Sequence, residues 1–176
     1  NIPSGVDALW SWTQTGGTGT GVTVCDIEYS WNYNHADVTK AVGSQINPNP
    51  ITDPFNDNNH GTAVIGELVA DNNGWGTTGI CYGAGLKTCG SYWSGSWNPG
   101  GAITYAINAL AAGDIILLEQ QWDYSPSGAQ LFVPVEWYGS TSPNAQYNNA
   151  VYSAIVTAVA NGIHVVEAGG NGNVNT

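Results

Sequence analysis

The chain is organised around the stretch His60-Gly61-Thr62-Ala63-Val64-Ile65-Gly66. A polar, turn-forming run precedes it at residues 56–59, and small and β-branched residues follow the histidine at once. This pattern predicts a helix that begins at His60 and packs closely against a sheet. Because imidazole titrates near neutral pH, a histidine at the mouth of such a helix is suited to proton transfer.

The composition excludes several classes of function. The 176 residues fit one domain, and 42% of them are hydrophobic, which is typical of a globular chain. Lysine and arginine number 2 against 13 aspartates and glutamates, which gives a formal net charge of −11. Nucleic acid and anionic membrane surfaces attract basic chains, so neither is expected as a partner. No apolar run approaches the ~20 residues of a membrane span.

Two further features of the composition indicate where the protein works. The chain starts Asn1-Ile2-Pro3 without methionine, and it is rich in Gly, Ser, Thr, Asn, Trp and Tyr. We therefore expect a processed protein that is secreted and extracellular. Its three cysteines are too few for a disulfide scaffold.

Strands and helices are predicted to alternate. Apolar, β-branched runs predict strands at 22–28, 86–92, 114–121 and 163–168. Helical spacing predicts helices at 3–12, 60–70, 102–112 and 146–161. This order predicts an α/β fold with a doubly wound parallel sheet flanked by helices, in a single domain over 1–176. An irregular insertion is expected at about 122–145.

Polar residues cluster where the predicted strands end. Glu28, the segment Glu119–Gln121 and the segment Glu167–Asn171 follow three strands, and His60 begins the helix after the first. Ligands bind outside the carboxyl ends of parallel strands, so these groups are predicted to converge on one face. There a carboxylate can fix the tautomer of an imidazole, which takes a proton from a nucleophile. An asparagine amide can donate to the resulting oxyanion.

Four segments of the chain resemble motifs of the subtilisin-like serine proteases. Residues 22–28 resemble that family's first catalytic strand, and residues 60–66 resemble its His-Gly-Thr-His-Val-Ala-Gly motif. Residues 168–172 resemble Ala-Ala-Gly-Asn-Glu/Asp, and His35-Ala36-Asp37-Val38 resembles His-Pro-Asp-Leu. The resemblance implies a serine endopeptidase that acts on peptide or protein substrates. It implies that Glu28, His60 and Asn171 are catalytic.

Two features depart from the family's pattern. The family's catalytic acid is an aspartate, whereas alignment back from His35 puts Glu28 at that position. Asp26 lies on the same face of the strand and competes for the role. There is also no Gly-Thr-Ser-Met-Ala-like nucleophile motif. The resemblance therefore implies that 1–176 is the N-terminal portion of a catalytic domain, whose serine lies on a C-terminal fragment or second chain.

The resemblance also implies a substrate cleft. Its expected lining residues are Gly100, Glu119, Gln120, Gln121, Gly169 and Gly170. Glu119 is unusual there and has three interpretations. It selects a basic or polar side chain, it shares a proton with another carboxylate, or it is a solvated surface residue.

A structural calcium ion is the one cofactor that the resemblance implies, and no organic cofactor is expected. Asp37 and Asn73 match part of the family's tight calcium site. Carboxylate, amide and loop carbonyl oxygens are the ligands that Ca²⁺ prefers.

Two other functions are compatible with the sequence. Because glutamate replaces aspartate and no suitable serine is present, the chain could be a non-catalytic subtilisin-like subunit or pseudoenzyme. Because it holds 8 tryptophans, many of them in loops, it could be a secreted module that binds glycans.

Overall fold

Strands and helices alternate along the chain, as predicted. The computed structural model describes residues 5–48, 50–124, 131–137 and 149–171. The strands are β1 (Thr23–Glu28), β2 (Gly85–Gly90), β3 (Tyr92–Trp93), β4 (Ser96–Trp97), β5 (Ile115–Leu118), β6 (Trp122–Tyr124), β7 (Leu131–Val133) and β8 (His164–Glu167). The helices are α1 (Ala8–Ser11), α2 (Asn59–Val69), α3 (Pro99–Ala109) and α4 (Asn149–Ala160). Single 3-10 turns cover Thr39–Ala41 and Val135–Trp137.

A parallel sheet with the strand order β2-β1-β5-β8 forms the centre of the described structure. β1 pairs with β2 on one side and with β5 on the other, so Ile27 lies between Cys89 and Leu118. β8 pairs with β5, which places Glu167 beside Leu118. Because the paired strands all run in one direction, their carboxyl ends lie at one edge of the sheet. The predicted α/β fold with a parallel sheet is confirmed.

Helices cover both faces of this sheet. Cys25 and Ile27 of β1 pack into a core with residues of α3 and α4. On the opposite face, Ile65 and Val69 of α2 pack in a second core with Leu86 of β2. A strand buried on both faces must be apolar throughout, which is why the sequence of β5 reads Ile-Ile-Leu-Leu.

Helix α3 begins at Pro99, earlier than the predicted start at Ala102. The side chain of Asn98 caps it, because its Oδ1 accepts a hydrogen bond from the Gly101 N–H at 2.9 Å. Proline suits the first helical position because it lacks the N–H that would stay unpaired there. The helix therefore begins three residues before its predicted start.

Helix α1 is shorter than the predicted helix over 3–12. It covers Ala8–Ser11, and Asp7 before it has a left-handed backbone with φ 52°. Residues 1–4, which include the start of the predicted helix, lie outside the described residues. No helix in the described part of the chain is long and apolar enough to cross a membrane.

The segment predicted as an irregular insertion is partly regular. Strands β6 and β7 pair antiparallel, with Asp123 opposite Phe132. A 3-10 turn at Val135–Trp137 follows. Residues 125–130 and 138–148 lie outside the described structure. The tryptophan and valine residues of these short strands account for their extended conformation.

Candidate active site

Glu28 and His60 meet at the carboxyl edge of the sheet. Glu28 ends β1, His60 is the second residue of α2, and His60 Nδ1 lies 2.5 Å from Glu28 Oε1. The glutamate side chain is 5% exposed, whereas the histidine side chain is 65% exposed. The carboxyl group is therefore held inside the protein, and the imidazole extends from it towards solvent.

Burial makes the charge on Glu28 costly. It raises the pKa of the Glu28 carboxyl to about 8, although a hydrogen bond from the Tyr29 backbone opposes the shift. The carboxylates of Glu119 and Asp53 raise the pKa further. In the tautomer with the proton on Nδ1, the imidazole donates to the Glu28 carboxylate, which favours its charged form, and Nε2 is then the proton acceptor.

Contacts behind the histidine fix where α2 begins. A Cβ atom on Gly61 would lie 2.5 Å from the Ser30 carbonyl oxygen, so this position requires glycine. The Asn32 N–H donates to Thr62 Oγ1 at 2.8 Å. The chain leaving β1 is thereby attached to the first turn of α2, which brings the two reactive side chains together.

Asp26, the other candidate acid, does not contact the histidine. It is fully buried, and its Oδ2 accepts a hydrogen bond from Trp31 Nε1 at 2.8 Å. Burial raises its pKa well above the usual range, and the carboxylates of Glu28 and Glu119 act in the same direction. The geometry favours Glu28 as the partner of His60.

A cleft of about 360 Å³ lies beside His60 and brings most of the predicted site residues together. Its lining residues are His60, Glu119, Gln120, Gln121, Ala168, Gly169, Gly170 and Asn171. Glu119 is half-buried in this cleft. No serine lines it among the residues that the structure describes.

The loop that carries Asn171 is held from two sides. The Asn171 N–H donates to Gln121 Oε1 at 2.8 Å, and the Ala168 N–H donates to the Leu118 carbonyl oxygen at 3.1 Å. Gly170 has φ +83°, and a Cβ atom there would lie 2.7 Å from the Phe132 carbonyl oxygen. Only glycine fits that position, because both its backbone conformation and its space exclude a side chain.

Gln120 has a structural contact that the sequence prediction missed. Its Nε2 donates to Ser91 Oγ at 2.6 Å, and its Oε1 accepts from Trp97 Nε1 at 3.2 Å. Ser91 in turn donates its backbone N–H to the Glu28 carbonyl oxygen at 2.8 Å. The polar atoms of Gln120 therefore join the ends of β1, β2 and β5 beneath the cleft.

Gly100 is not among the residues that line the cleft. It lies in the first turn of α3, buried against α4, where a Cβ atom would lie 3.4 Å from the Ala150 carbonyl. At this distance a Cβ atom would be in ordinary van der Waals contact, so Gly100 is a packing position between the two helices. This position gives no support to the predicted role of Gly100 in substrate binding.

Asp37 and Asn73 do meet, but in an arrangement that does not suit a cation. Asp37 Oδ1 accepts a hydrogen bond from Asn73 Nδ2 at 2.9 Å, and Asp37 Oδ2 accepts one from the Thr77 N–H at 2.7 Å. The Thr77 N–H and, to a lesser extent, the Asn73 amide lower the pKa of Asp37. Gly76 has φ +65°, and a Cβ atom there would overlap the Asp37 carboxylate. Asn73 turns its amide N–H, and not its oxygen, towards Asp37, and its Oδ1 accepts from the Trp75 N–H at 3.1 Å, so the residues as arranged do not fit a calcium ion.

A second carboxyl contact lies behind the Asn171 loop. Glu167 Oε1 accepts a hydrogen bond from the Val135 N–H at 2.7 Å, and its side chain also bonds to Glu136. Burial and Glu136 together raise the pKa of Glu167 to about 8. Two carboxyl groups can bond to each other only when one carries a proton. No feature of the sequence indicated this pairing, since the two residues lie far apart along the chain.

Solved structures identify the arrangement of strands and helices. A subtilisin-like proteinase described as cold-adapted matches with a TM-score of 0.50 and 18% identity, over 84% of this chain and 46% of its own. A psychrophilic protease designated S41 matches with a TM-score of 0.52 and 17% identity, over 84% of this chain and 45% of its own. A protease from Pseudoalteromonas arctica matches with a TM-score of 0.60 and 21% identity, over 92% of this chain and 52% of its own. The fold is subtilisin-like.

Identities this low establish the fold and nothing finer. The subtilisin-like fold here spans about half the length of each matched protease. No protein-family model matches the chain, and no curated protein does.

Proposed function

We propose that the protein is part of a serine endopeptidase that hydrolyses peptide bonds through an acid–histidine–serine triad. The observation that carries this proposal is the 2.5 Å contact between His60 Nδ1 and Glu28 Oε1, beside the cleft that Asn171 lines. The serine would come from a C-terminal portion or a second chain. We also propose that the enzyme is extracellular, because its composition is typical of secreted proteins.

In this proposal His60 is the general base. Its Nε2 takes the proton from the serine hydroxyl as the serine oxygen bonds to the peptide carbonyl carbon. The Asn171 side-chain amide donates to the carbonyl oxygen, which becomes negative. His60 then returns the proton to the leaving amine as the C–N bond breaks. Water hydrolyses the acyl-enzyme by the same steps, and throughout Glu28 stabilises the charged imidazole.

An open sheet edge with exposed apolar residues on both sides supports the existence of a further portion. Among the described strands β8 pairs with β5 alone, so one edge of it carries unpaired backbone groups. Val166 of β8 is 51% exposed, on the sheet face opposite α4. On the other side, Val156 and Val159 of α4 are 48% and 58% exposed. An apolar edge of this kind on a parallel sheet is normally covered. We propose that the portion with the serine packs here.

The glycan-binding alternative has less support. Trp97 and Trp122 stack on each other with ring centroids 5.5 Å apart, and Trp31 is buried at 3% exposure. Trp10 and Trp75 are exposed singly. The non-catalytic alternative is distinguished from the enzyme by the experiment below.

The test is covalent labelling by a fluorophosphonate probe, which reacts with an activated serine. We expect labelling of the protein as isolated, together with any chain that copurifies with it. The matched control is His60→Ala, which should abolish labelling, whereas His164→Ala on β8 should not. Absence of labelling in the wild-type protein would support the non-catalytic subunit instead.

A further inference from the structure

Asp26 is a buried acid that the proposed triad does not use. It lies two residues before Glu28 on the same face of β1 and is 0% exposed. One of its oxygens accepts the Trp31 hydrogen bond, and the other, Oδ1, has no hydrogen-bond partner. Burying a carboxyl group with an unpaired oxygen costs free energy, so its presence at this position requires a physical explanation.

The partner of Asp26 lies directly under the first turn of α2. Trp31 is 3% exposed, and the Cδ1 and Nε1 atoms of its indole lie 3.0 Å from the place where a Gly61 Cβ atom would be. Nε1 is the same atom that donates to Asp26. The hydrogen bond therefore fixes the ring edge against which the helix backbone next to His60 rests.

We propose that Asp26 is a positioning residue, which acts through the Trp31 indole to set the first turn of α2 over β1 and so holds His60 at hydrogen-bond distance from Glu28. The chain of contacts runs from Asp26 Oδ2 to Trp31 Nε1, to the backbone at Gly61, and to the adjacent histidine. The catalytic consequence rests on the proposed function, but the geometric consequence does not.

The chemistry required of Asp26 is that of a short side chain with an acceptor atom. An asparagine at this position offers the same acceptor and places an amide group where the unpartnered oxygen now lies. A leucine has similar bulk but leaves the indole N–H buried and unpaired. If Asp26 were instead the triad acid itself, its carboxyl group would be essential and the asparagine would not replace it.

Substitutions separate these two roles. We expect Asp26→Asn to keep kcat within about 3-fold of the wild type. We expect Trp31→Phe and Asp26→Leu each to lower kcat by up to about 10²-fold with little change in KM. Because these two substitutions remove the same contact, the double variant Asp26→Leu/Trp31→Phe should have a kcat no lower than that of the less active single variant. A loss in Asp26→Asn as large as that in Glu28→Gln, with Trp31→Phe unaffected, would overturn the proposal.

A measurement on the histidine itself keeps the test independent of activity. The proton between His60 Nδ1 and Glu28 should give a downfield NMR resonance in the isolated protein. We expect this resonance to persist in Asp26→Asn and to shift or vanish in Trp31→Phe. Because Trp31→Phe keeps the aromatic packing, it tests the proposal even where Asp26→Leu fails to fold. An unchanged resonance in folded Trp31→Phe would overturn the positioning role. Failure of the peptidase proposal would appear differently, as absent turnover in the wild type with the resonance still responding to Trp31→Phe.

Discussion

The Nδ1 atom of His60 and the Oε1 atom of Glu28 lie 2.5 Å apart, joining the first turn of α2 to the last residue of β1. The glutamate is longer by one methylene than the aspartate that subtilisin-like proteases have. Gly61, next to the histidine, lets the first turn of the helix approach the Ser30 carbonyl closely. The same pair can orient an imidazole for proton transfer, and the proposed activity depends on it.

Asn171→Ala tests the proposed oxyanion donor. We expect kcat to fall by about 10²–10³-fold with little change in KM, because the amide would bind the transition state more strongly than the ground state. Steady-state kinetics with a peptide substrate measures both constants. Asn72→Ala, in an exposed loop away from the cleft, is the control. An unchanged kcat in Asn171→Ala would remove this residue from the mechanism.

Gly76→Ala tests whether the loop over Asp37 is held by hydrogen bonds. We expect a loss of more than about 1 kcal/mol in the free energy of unfolding, because the new side chain strains the backbone and displaces the Asp37 carboxylate. Gly43→Ala is the matched control, since Gly43 has φ +72° with nothing within 4 Å of its Cβ position. Chemical denaturation compares the two variants.

The same loop allows a test of the calcium site that the sequence predicted. With its oxygens bonded to the Thr77 N–H and the Asn73 amide, Asp37 needs no cation, so a chelator should leave the unfolding midpoint of the wild type unchanged. A fall in the midpoint with chelator that is absent in Asp37→Ala would show that calcium binds there after all.

Glu167→Gln tests the carboxyl contact behind the Asn171 loop. In the folded protein the Glu167 pKa is raised to about 8 from an ordinary value of 4.5. The folded state therefore holds a proton that the unfolded state releases. The stability from this proton is fully present below pH 4.5 and is lost as pH rises through about 8. We expect the free energy of unfolding to fall over this range, and to fall less steeply in Glu167→Gln.

Denaturation at several pH values measures both slopes. Glu67→Gln, which removes an exposed carboxylate from α2, is the control and should keep the slope of the wild type. An equal slope in Glu167→Gln and wild type would mean that the Glu167–Glu136 contact holds no extra proton.

Charged substitutions on the two sides of the open β8 edge test the proposed docking of the serine-bearing portion. We expect Val159→Lys and Val166→Lys to reduce fluorophosphonate labelling, because a lysine cannot be buried without a partner. Val42→Lys is the control, since Val42 is 69% exposed at a different place in the fold. Labelling that is equal in all three variants would exclude the β8 edge as the docking surface.

Much of the fold could be predicted because it depends on local patterns. The apolar runs of β1 and β5 and the small residues after His60 determine a strand–helix alternation, and the alternation places Glu28, Glu119 and Glu167 at one edge. Long-range contacts leave no such pattern. Nothing near Gln120 indicates that its amide bonds to Ser91, and nothing near Asp26 indicates Trp31 as a partner in preference to His60.

Helix ends show a second reason why the structure differs from the sequence prediction. Apolar spacing locates the middle of α3, but its start depends on Asn98 and Pro99, which are typical of loops as well as of helix N-termini. Gly100 illustrates the consequence. The resemblance implies that it lines the substrate cleft, whereas in the structure it lies between α3 and α4.

The most direct test of the central claim is the rate at which the fluorophosphonate probe labels the wild type and Glu28→Gln. A glutamine keeps the size of the side chain but leaves the imidazole without a carboxylate to fix its tautomer or stabilise its charge. We predict that the labelling rate falls by about 10³–10⁴-fold, while Glu67→Gln labels at the wild-type rate. A rate in Glu28→Gln equal to that of the wild type would contradict the assignment of Glu28 and His60 as the catalytic pair.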